Sequence, residues 1–195
     1  SASGIPCSQT FRGTEGSSEP ETQAVEAYIR NLFDDNRGEE QSDAADETIS
    51  GLHIDVHSFG EDLLYPWGHT YRDAPNEAAL ATLARKVAAF NSYEPKPANG
   101  IYLLDGNSES VSYGELGVPQ LTFEIGTAFR QDCASFEQVI KPSNLDALLY
   151  AAKIAEAPYQ LPAGPEITDI AEIGDSFGRV AVSYTHLTLP TMIRV

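Results

Sequence analysis

Three segments of the chain carry apolar residues at helical spacing, and we predict a helix in each. The first helix begins at Ser18, which can cap it, with Pro20 in the first turn and Glu21 reaching back, and it ends near Asp34. The second spans residues 75–91 and the third spans residues 142–157. The positions predicted to face the core are Val25, Tyr28, Ile29, Leu32 and Phe33 in the first helix, Leu80, Leu83, Ala84, Val87 and Phe90 in the second, and Leu145, Leu148, Leu149 and Ala152 in the third.

Two further segments alternate polar and apolar residues, which is typical of half-buried strands. The inward faces are predicted to be Leu52, Ile54 and Val56 within residues 48–57, and Leu121, Phe123 and Ile125 within residues 119–125. The order helix, strand, helix, strand, helix predicts an α/β layered domain. Residues 34–47 are rich in acids and are predicted to form a solvated loop, whereas residues 92–112 lack periodicity and are predicted to form a long surface loop.

The end of the chain differs from the rest in composition. Residues 158–165 hold three prolines and a glycine, which indicates a linker, and residues 166–182 fit a β-hairpin. We therefore predict one domain over residues 1–160, then a linker and the first strands of an appended β domain over 161–181. Residues 182–195 look like a translated sequencing adaptor and are predicted to be a non-native tail, the alternative being an ordinary β-strand tail. The start at Ser1 indicates processing or a fragment.

Charge and cysteine content narrow the classes of partner. The chain has 12 basic and 29 acidic residues, a net charge of −17, which argues against nucleic acid or an anionic membrane as a partner. No apolar run is long enough for a transmembrane helix. The two cysteines, Cys7 and Cys133, exclude a disulfide scaffold and a four-cysteine zinc site. They either form one disulfide or are two unpaired, buried thiols.

Two polar side chains lie at the ends of the predicted strands, where ligands gather in open α/β sheets. His57 ends the first strand and Glu124 lies near the end of the second, and an imidazole beside a carboxylate suits a metal and a general base. An alternative metal cluster is His53–Asp55–His57, whose side chains lie on the same face of the strand. His69 is predicted to be a surface residue or a neighbour of the site.

The chain contains the motifs PCSQTFRG at 6–13, SEPET at 18–22, IDVHSF at 54–59, LYPWG at 64–68, IY at 101–102, YG at 113–114 and LTFE at 121–124. In this order the motifs resemble those of the zinc carboxypeptidases, specifically the carboxypeptidase A/B-like family in its secreted bacterial branch. Tyr102 and Glu124 are 22 residues apart, the interval of the pancreatic-type enzymes. The resemblance covers about residues 5–157 and implies the carboxyl-terminal part of a mixed-sheet α/β/α catalytic domain.

The resemblance implies roles for individual residues. His57 would be a ligand of Zn²⁺, the implied cofactor, and Glu124 the general base in attack of water on the scissile carbonyl. Tyr102 would close over the bound C-terminus and donate a hydrogen bond to it. Ser58 and Phe59 would line the substrate cleft.

Glu109 aligns with the position of the family's side-chain pocket that sets specificity. An acid there would favour a C-terminal Lys or Arg by charge pairing, and the alternative is an exposed loop acid. The family often has Asp followed by an aromatic residue where this chain has Ser110 and Val111, which changes the pocket wall.

The chain also lacks motifs that the family possesses. No His is followed three residues later by Glu, although the family's other two zinc ligands come in that arrangement, and the carboxylate-binding arginine and Asn-Arg pair are missing. We therefore expect a fragment that is inactive by itself, in which an unpaired sheet edge lowers solubility.

The leading hypothesis is a secreted or periplasmic zinc carboxypeptidase, monomeric when intact, that removes C-terminal residues from peptides or proteins. One alternative is a same-fold amidase acting on cell-wall or side-chain-linked peptides. The other is a pseudo-peptidase that binds without catalysis.

Overall fold

The computed structural model describes residues 3–104 and 106–162, together with the backbone of residues 167–173 and 179–184. Its helices are α1 (Pro20–Leu32), α2 (Glu77–Asn91), α3 (Glu109–Ser112), α4 (Cys133–Ser135) and α5 (Lys141–Ile154), with a 3₁₀ turn at Ala98–Gly100 and a π-helical turn at Phe136–Ile140. Its strands are β1 (His53–His57), β2 (Asp62–Tyr65), β3 (Glu94–Pro97), β4 (Gln120–Glu124), β5 (Ile167–Ile173) and β6 (Arg179–Tyr184).

Four strands form a mixed sheet in the order β1-β4-β2-β3. β1 is parallel to β4 and β2 is parallel to β3, whereas β2 runs antiparallel to β4. Helix α2 packs against β2, β3 and α5. The prediction of an α/β fold with a mixed sheet is therefore confirmed.

Two strands of this sheet were not predicted from the sequence. β2 is buried over its whole length because it lies between β4 and β3, so it shows no alternation of polar and apolar residues. β3 lies inside the segment predicted to be a loop, and it contains Pro95 and Pro97. Proline cannot donate to a neighbouring strand and is tolerated at a sheet edge, which is where β3 lies.

The first helix starts at Pro20, two residues after the predicted cap, and Ser18 does not cap it. The N-cap residue is Glu19, no side chain caps the helix, and the Ser18 hydroxyl donates to the Glu19 carboxylate at 3.0 Å. Ile29 is buried and Phe33 partly buried. The other members of the predicted core-facing stripe are exposed, at 52% for Val25, 65% for Tyr28 and 54% for Leu32.

The predicted inward face of the last long helix is wrong. Leu145 and Leu149 are exposed, Leu148 is partly buried and Ala152 is exposed. The buried residues of α5 are instead Asn144, Ala147, Ala151 and Ile154.

Buried hydrogen bonds account for this rotation of α5. The Asn144 amide donates to the Tyr93 hydroxyl at 2.8 Å and accepts from the Asn91 amide at 3.2 Å. These three polar groups satisfy one another inside the core, so the helix turns its asparagine inward rather than its leucines.

The acidic segment 34–47 is a loop whose acids are exposed or half-buried, as predicted, and an arginine within it anchors its backbone. The Arg37 guanidinium donates to the backbone carbonyls of Glu40, Gln41, Asp43 and Gly114, and it lies 5.3 Å from the Trp67 ring centroid. Ala45 and Ile49 are buried close by in sequence. One cation therefore organises the segment around a buried aromatic ring.

Beyond the sheet, β5 and β6 pair antiparallel as the predicted hairpin. β6 ends at Tyr184, so its last three residues belong to the predicted tail, while residues 185–195 lie outside the described part. The assignment of an appended β domain and of a non-native tail stays a prediction. Among the described residues, no helix has the length and apolarity needed to cross a membrane.

Candidate active site

The ends of two neighbouring strands bring the predicted catalytic pair together. His57 is the last residue of β1 and Glu124 the last of β4, and their Cα atoms are direct partners in the parallel register. Residues paired in this way project from the same face of the sheet. The two groups, 67 positions apart in sequence, therefore meet at one edge of the sheet, as the candidate site requires.

The surroundings of Glu124 favour its protonated form more than water would. Partial burial raises the pKa of its carboxyl above the ordinary value, the nearby His57 lowers it, and the carboxylates of Asp62 and Asp55 raise it further. A carboxyl shifted upward in this way holds a proton closer to neutral pH. That property suits a group that takes a proton and later returns it.

Asp55 contacts the ring of His57. Its Oδ1 lies 3.3 Å from His57 Nε2, while its Oδ2 accepts a hydrogen bond of 2.6 Å from the hydroxyl of Ser108. Asp55 is two residues before His57 on the same strand face, so the spacing alone could have indicated the contact. Nothing local to the sequence could have indicated Ser108, which arrives from the start of α3.

An ion pair lies on the other side of Glu124. Asp62 is the register partner of Glu124 on β2, and its Oδ1 is 2.7 Å from Lys96 Nζ on β3. Neither residue was predicted to belong to the site, because the strands that carry them were not predicted from the sequence. The lysine is the ion-pair partner of Asp62, whose carboxylate still raises the pKa of the Glu124 carboxyl.

An open cleft lies at the His57 end of β1. It is lined by Val56, His57, Ser58, Ile125 and Phe129. The Ser58 hydroxyl donates to the carbonyl of Phe129 at 3.3 Å, which joins the two sides of the cleft. Phe59 is 52% exposed and follows Ser58 through a cis peptide bond.

Tyr102 and Glu109 lie in contrasting environments. The Tyr102 side chain is 53% exposed on the segment that follows the 3₁₀ turn. Glu109 is only 2% exposed, so the alternative of an exposed loop acid is wrong. Its Oε1 accepts from the Gly68 N–H, and burial raises the pKa of its carboxyl, against the effect of hydrogen bonds from Gly68 and Asn107.

The described residues do not complete a zinc site. His57 offers an imidazole nitrogen, which zinc binds, but catalytic zinc takes three protein ligands. Among residues 3–104 and 106–162, no three His, Cys, Asp or Glu side chains are grouped to hold a metal ion. His57 is the one residue of this chain in the predicted ligand set, and its role as a ligand stays a prediction.

The alternative cluster His53–Asp55–His57 is wrong. His53 and His57 are four strand residues apart, about 13 Å at the usual rise, which is too far to share an ion. His53 Nδ1 lies 3.0 Å from the Ser112 hydroxyl instead. Burial lowers the pKa of His53 more than Asp55 raises it.

The cysteines match neither of the arrangements considered. Cys7 and Cys133 are both free, and both are exposed rather than buried. They therefore give no support to an oxidising compartment. His69 has its Nε2 2.7 Å from the side-chain amide nitrogen of Gln41, and its ring centroid lies 5.0 Å from that of Trp67.

Comparison with solved structures places this geometry in a known fold. Carboxypeptidase A from Helicoverpa armigera superposes with a TM-score of 0.61 at 21% identity, covering 80% of this chain and 39% of that one. Thrombin-activatable fibrinolysis inhibitor superposes with a TM-score of 0.63 at 21% identity, over 80% and 38% of the two chains. At this identity the likeness concerns the fold.

Sequence relatives extend the comparison. Carboxypeptidase B of Bos taurus is 28% identical over 156 residues, which cover 76% of this chain and 34% of the relative. Zinc carboxypeptidase A 1 of Anopheles gambiae is 30% identical over 147 residues, 71% of this chain and 30% of the relative. The chain thus spans about a third of the length of these relatives. The family model described as zinc carboxypeptidase matches residues 1–149, and the chain belongs to the zinc carboxypeptidase family.

Proposed function

We propose that this chain forms the part of a zinc carboxypeptidase that carries the general base and one metal ligand. The observation that carries the proposal is the register pairing of His57 with Glu124 at the ends of two parallel strands. Family membership supports the reaction class, hydrolysis of the last peptide bond of a peptide or protein. Substrates, compartment and oligomeric state belong to the proposal: peptide C-termini, a secreted or periplasmic location, and a monomer.

In the proposed reaction, Glu124 moves the proton. Zinc, when bound, acts as a Lewis acid and makes water more acidic. Glu124 accepts a proton as the water oxygen bonds to the scissile carbonyl carbon. It then donates that proton to the amide nitrogen as the carbon–nitrogen bond breaks, so the products are a shortened peptide and a free amino acid. The raised pKa of Glu124 supports this two-way role.

The remaining residues would bind the substrate. Tyr102 is half exposed, and its hydroxyl would donate to the bound C-terminus. Ser58 lines the cleft and Phe59 lies beside it. Glu109 would favour a C-terminal Lys or Arg by placing a carboxyl at the end of the side-chain pocket.

The test compares this chain with a complete catalytic domain that carries it. We expect the complete domain to release C-terminal residues from peptides ending in Lys, Phe and Glu, with Lys cleaved fastest, and to lose activity with a chelator. Glu124→Gln should lower kcat by about 10²–10⁴-fold, whereas the control Glu115→Gln, on an exposed residue, should leave kcat unchanged. The 195-residue chain alone should be inactive.

Specific outcomes would contradict the proposal. Unchanged turnover in the Glu124→Gln domain would remove its role as a base. Cleavage confined to cell-wall or side-chain-linked peptides would replace the carboxypeptidase with an amidase. Binding of peptides without turnover in the complete, zinc-loaded domain would indicate a pseudo-peptidase.

A further inference from the structure

The segment that carries Tyr102 is exposed in its middle and anchored at both ends. Ile101, Tyr102 and Leu103 are 41%, 53% and 38% exposed. At one end of this segment, the Ile101 N–H donates to the carbonyl of Ala98 at 3.3 Å. At the other end, the Leu104 N–H donates to the carbonyl of Gly68 at 2.9 Å. We call residues 101–104 the Tyr102 arm. Within the described residues, the backbone bond that fixes the far end of the arm is the one to the Gly68 carbonyl.

Gly68 uses both of its backbone groups to hold this region. Its carbonyl accepts from Leu104 of the arm, and its N–H donates to Oε1 of Glu109. We call Gly68, Leu104 and Glu109 the Gly68 clasp. Gly68 is buried and Glu109 is 2% exposed, so no bulk water competes for these groups.

The packing around Gly68 leaves no room for a side chain. A Cβ there would lie 2.8 Å from Asn107 Nδ2, 3.2 Å from Glu109 Oε1 and 3.4 Å from Ala98 Cβ. These atoms belong to the segments before and after the arm. Because glycine has no side chain, the segments before and after the Tyr102 arm can pack closely against the turn that follows Trp67.

We propose that Glu109 is a positioning residue that fixes the Gly68 turn and, through the Gly68 carbonyl, the anchor of the Tyr102 arm. The inference rests on the proposed function only because that function assigns Tyr102 a substrate to bind. This role of Glu109 differs from charge pairing with a substrate. Glu109 acts as a hydrogen-bond acceptor for Gly68 whichever substrate side chain occupies the pocket. Without that acceptor the buried Gly68 N–H has no partner, and the turn must shift to find one.

The chemistry predicts different behaviour for two substitutions. Glu109→Gln keeps a carbonyl-type oxygen that can accept from Gly68, so the clasp should survive without the charge. Glu109→Leu fills a similar volume but cannot accept, so the clasp should open. A matched control is Glu115→Leu, which removes a half-exposed carboxylate that is bonded to Arg30 rather than to Gly68.

The experiment uses the full 195-residue chain without metal or peptide. Amide hydrogen exchange at Gly68 and Leu104 measures opening of the Gly68 clasp, and ¹⁵N relaxation at Tyr102 measures the mobility of the arm. Fluorescence of Trp67, the single tryptophan, reports on the environment of the turn. We expect Glu109→Leu to speed exchange of the Leu104 amide by about tenfold and to lower the order parameter of Tyr102. Glu109→Gln should stay within about twofold of the unchanged chain, as should Glu115→Leu.

Two results would overturn the inference. One is exchange at Leu104 that is unchanged in Glu109→Leu, and the other is a Glu109→Gln variant as loose as Glu109→Leu. If Glu109→Leu does not fold, Gly68→Ala is the deciding variant. It keeps the Glu109 carboxyl, but its added Cβ pushes the members of the Gly68 clasp apart. Faster exchange of the Leu104 amide then supports the inference, and unchanged exchange refutes it. A residue that merely stabilised the fold would change the urea midpoint without mobilising Tyr102.

The two proposals fail separately. The clasp is measured without zinc and without substrate, so an inactive complete domain leaves those readouts intact. Conversely, Glu109→Gln in the complete domain should keep the arm ordered while it reduces the preference for C-terminal Lys, which separates the acceptor from the charge.

Discussion

The centre of the sheet and its rim both carry apolar residues, but they bury them very differently. At the centre, every residue of β2 is buried, and α2 covers the sheet with Leu80 and Leu83, both fully buried. At the rim, α1 exposes Val25, Tyr28 and Leu32, and Val56 of the edge strand β1 is 52% exposed. Helical or alternating spacing predicted α1, α2 and β1 all to face a core, whereas β2 was not predicted from the sequence.

Periodicity thus identifies an apolar face of a helix or strand but not what covers that face. β4 has hydrogen-bonded neighbours on both edges, whereas β1 pairs on one edge only within the described residues. An apolar strand with an open edge is a site for further strand pairing or for aggregation. The rim should therefore contribute little to the stability of this chain.

The largest expected contrast is in the cost of deleting a leucine. Leu83→Ala, at the centre, should lower the free energy of unfolding by about 3–5 kcal/mol because it leaves a cavity. Leu145→Ala, on the half-exposed face of α5, should cost less than about 1 kcal/mol. Urea unfolding followed by circular dichroism measures both.

Equal losses of unfolding free energy in these two variants would show that Leu145 is as well buried as Leu83. A large loss at Leu145 would show that the face of α5 is covered in solution, for instance by self-association. Sedimentation at two protein concentrations would detect that covering directly.

The parts of the fold that could be predicted depend on local pattern. The alternation of residues 119–125 predicted β4, and the stripe of residues 75–91 predicted α2, whose Leu80, Leu83, Ala84 and Val87 are buried as expected. The face of α5 could not be predicted, because its orientation is set by hydrogen bonds of Asn144 to residues some 50 positions earlier. No spacing within a helix reports such partners.

The candidate site divides in the same way. His57 and Glu124 could be paired from the sequence because both end strands that alternate clearly. The burial of Glu109 could not be predicted, because its acceptor role depends on the Gly68 N–H, 41 positions away. Asp62 and Lys96 were out of reach because their strands lack alternation or contain prolines.

The next contrast concerns ion pairs. Lys96 bonds the buried Asp62, so Lys96→Met leaves a carboxylate without its partner at the centre and should cost about 2 kcal/mol. Arg30 bonds Glu115 at 2.7 Å, but both side chains are 43% exposed. Arg30→Met should therefore cost about 0.5 kcal/mol, and less in high salt.

Urea unfolding at low and high salt measures this second pair of variants. A Lys96→Met protein as stable as the unchanged chain would show that water reaches Asp62 and that the centre is less closed than its burial indicates. A loss in Arg30→Met that persists in high salt would show that α1 is held as firmly as the centre.

The smallest expected contrast is in the pH dependence of stability. Burial raises the pKa of Glu109 above 4.5, so its contribution to stability is fully present below that value and is lost as pH rises through the raised pKa. Arg30 lowers the pKa of Glu115, so its contribution is present above 4.5 and is lost as pH falls through the lowered pKa.

Two glutamine substitutions should therefore show opposite trends. Relative to the unchanged chain, Glu109→Gln should gain stability as pH rises from about 4 to about 8, because it removes a charge that burial disfavours. Glu115→Gln should lose relative stability over the same rise, because it removes a charge that Arg30 favours. Urea unfolding at a series of pH values measures both differences. Parallel trends would mean that Glu109 is hydrated in solution, and the distinction between a closed centre and an open rim would then fail at the residue proposed to hold the Tyr102 arm.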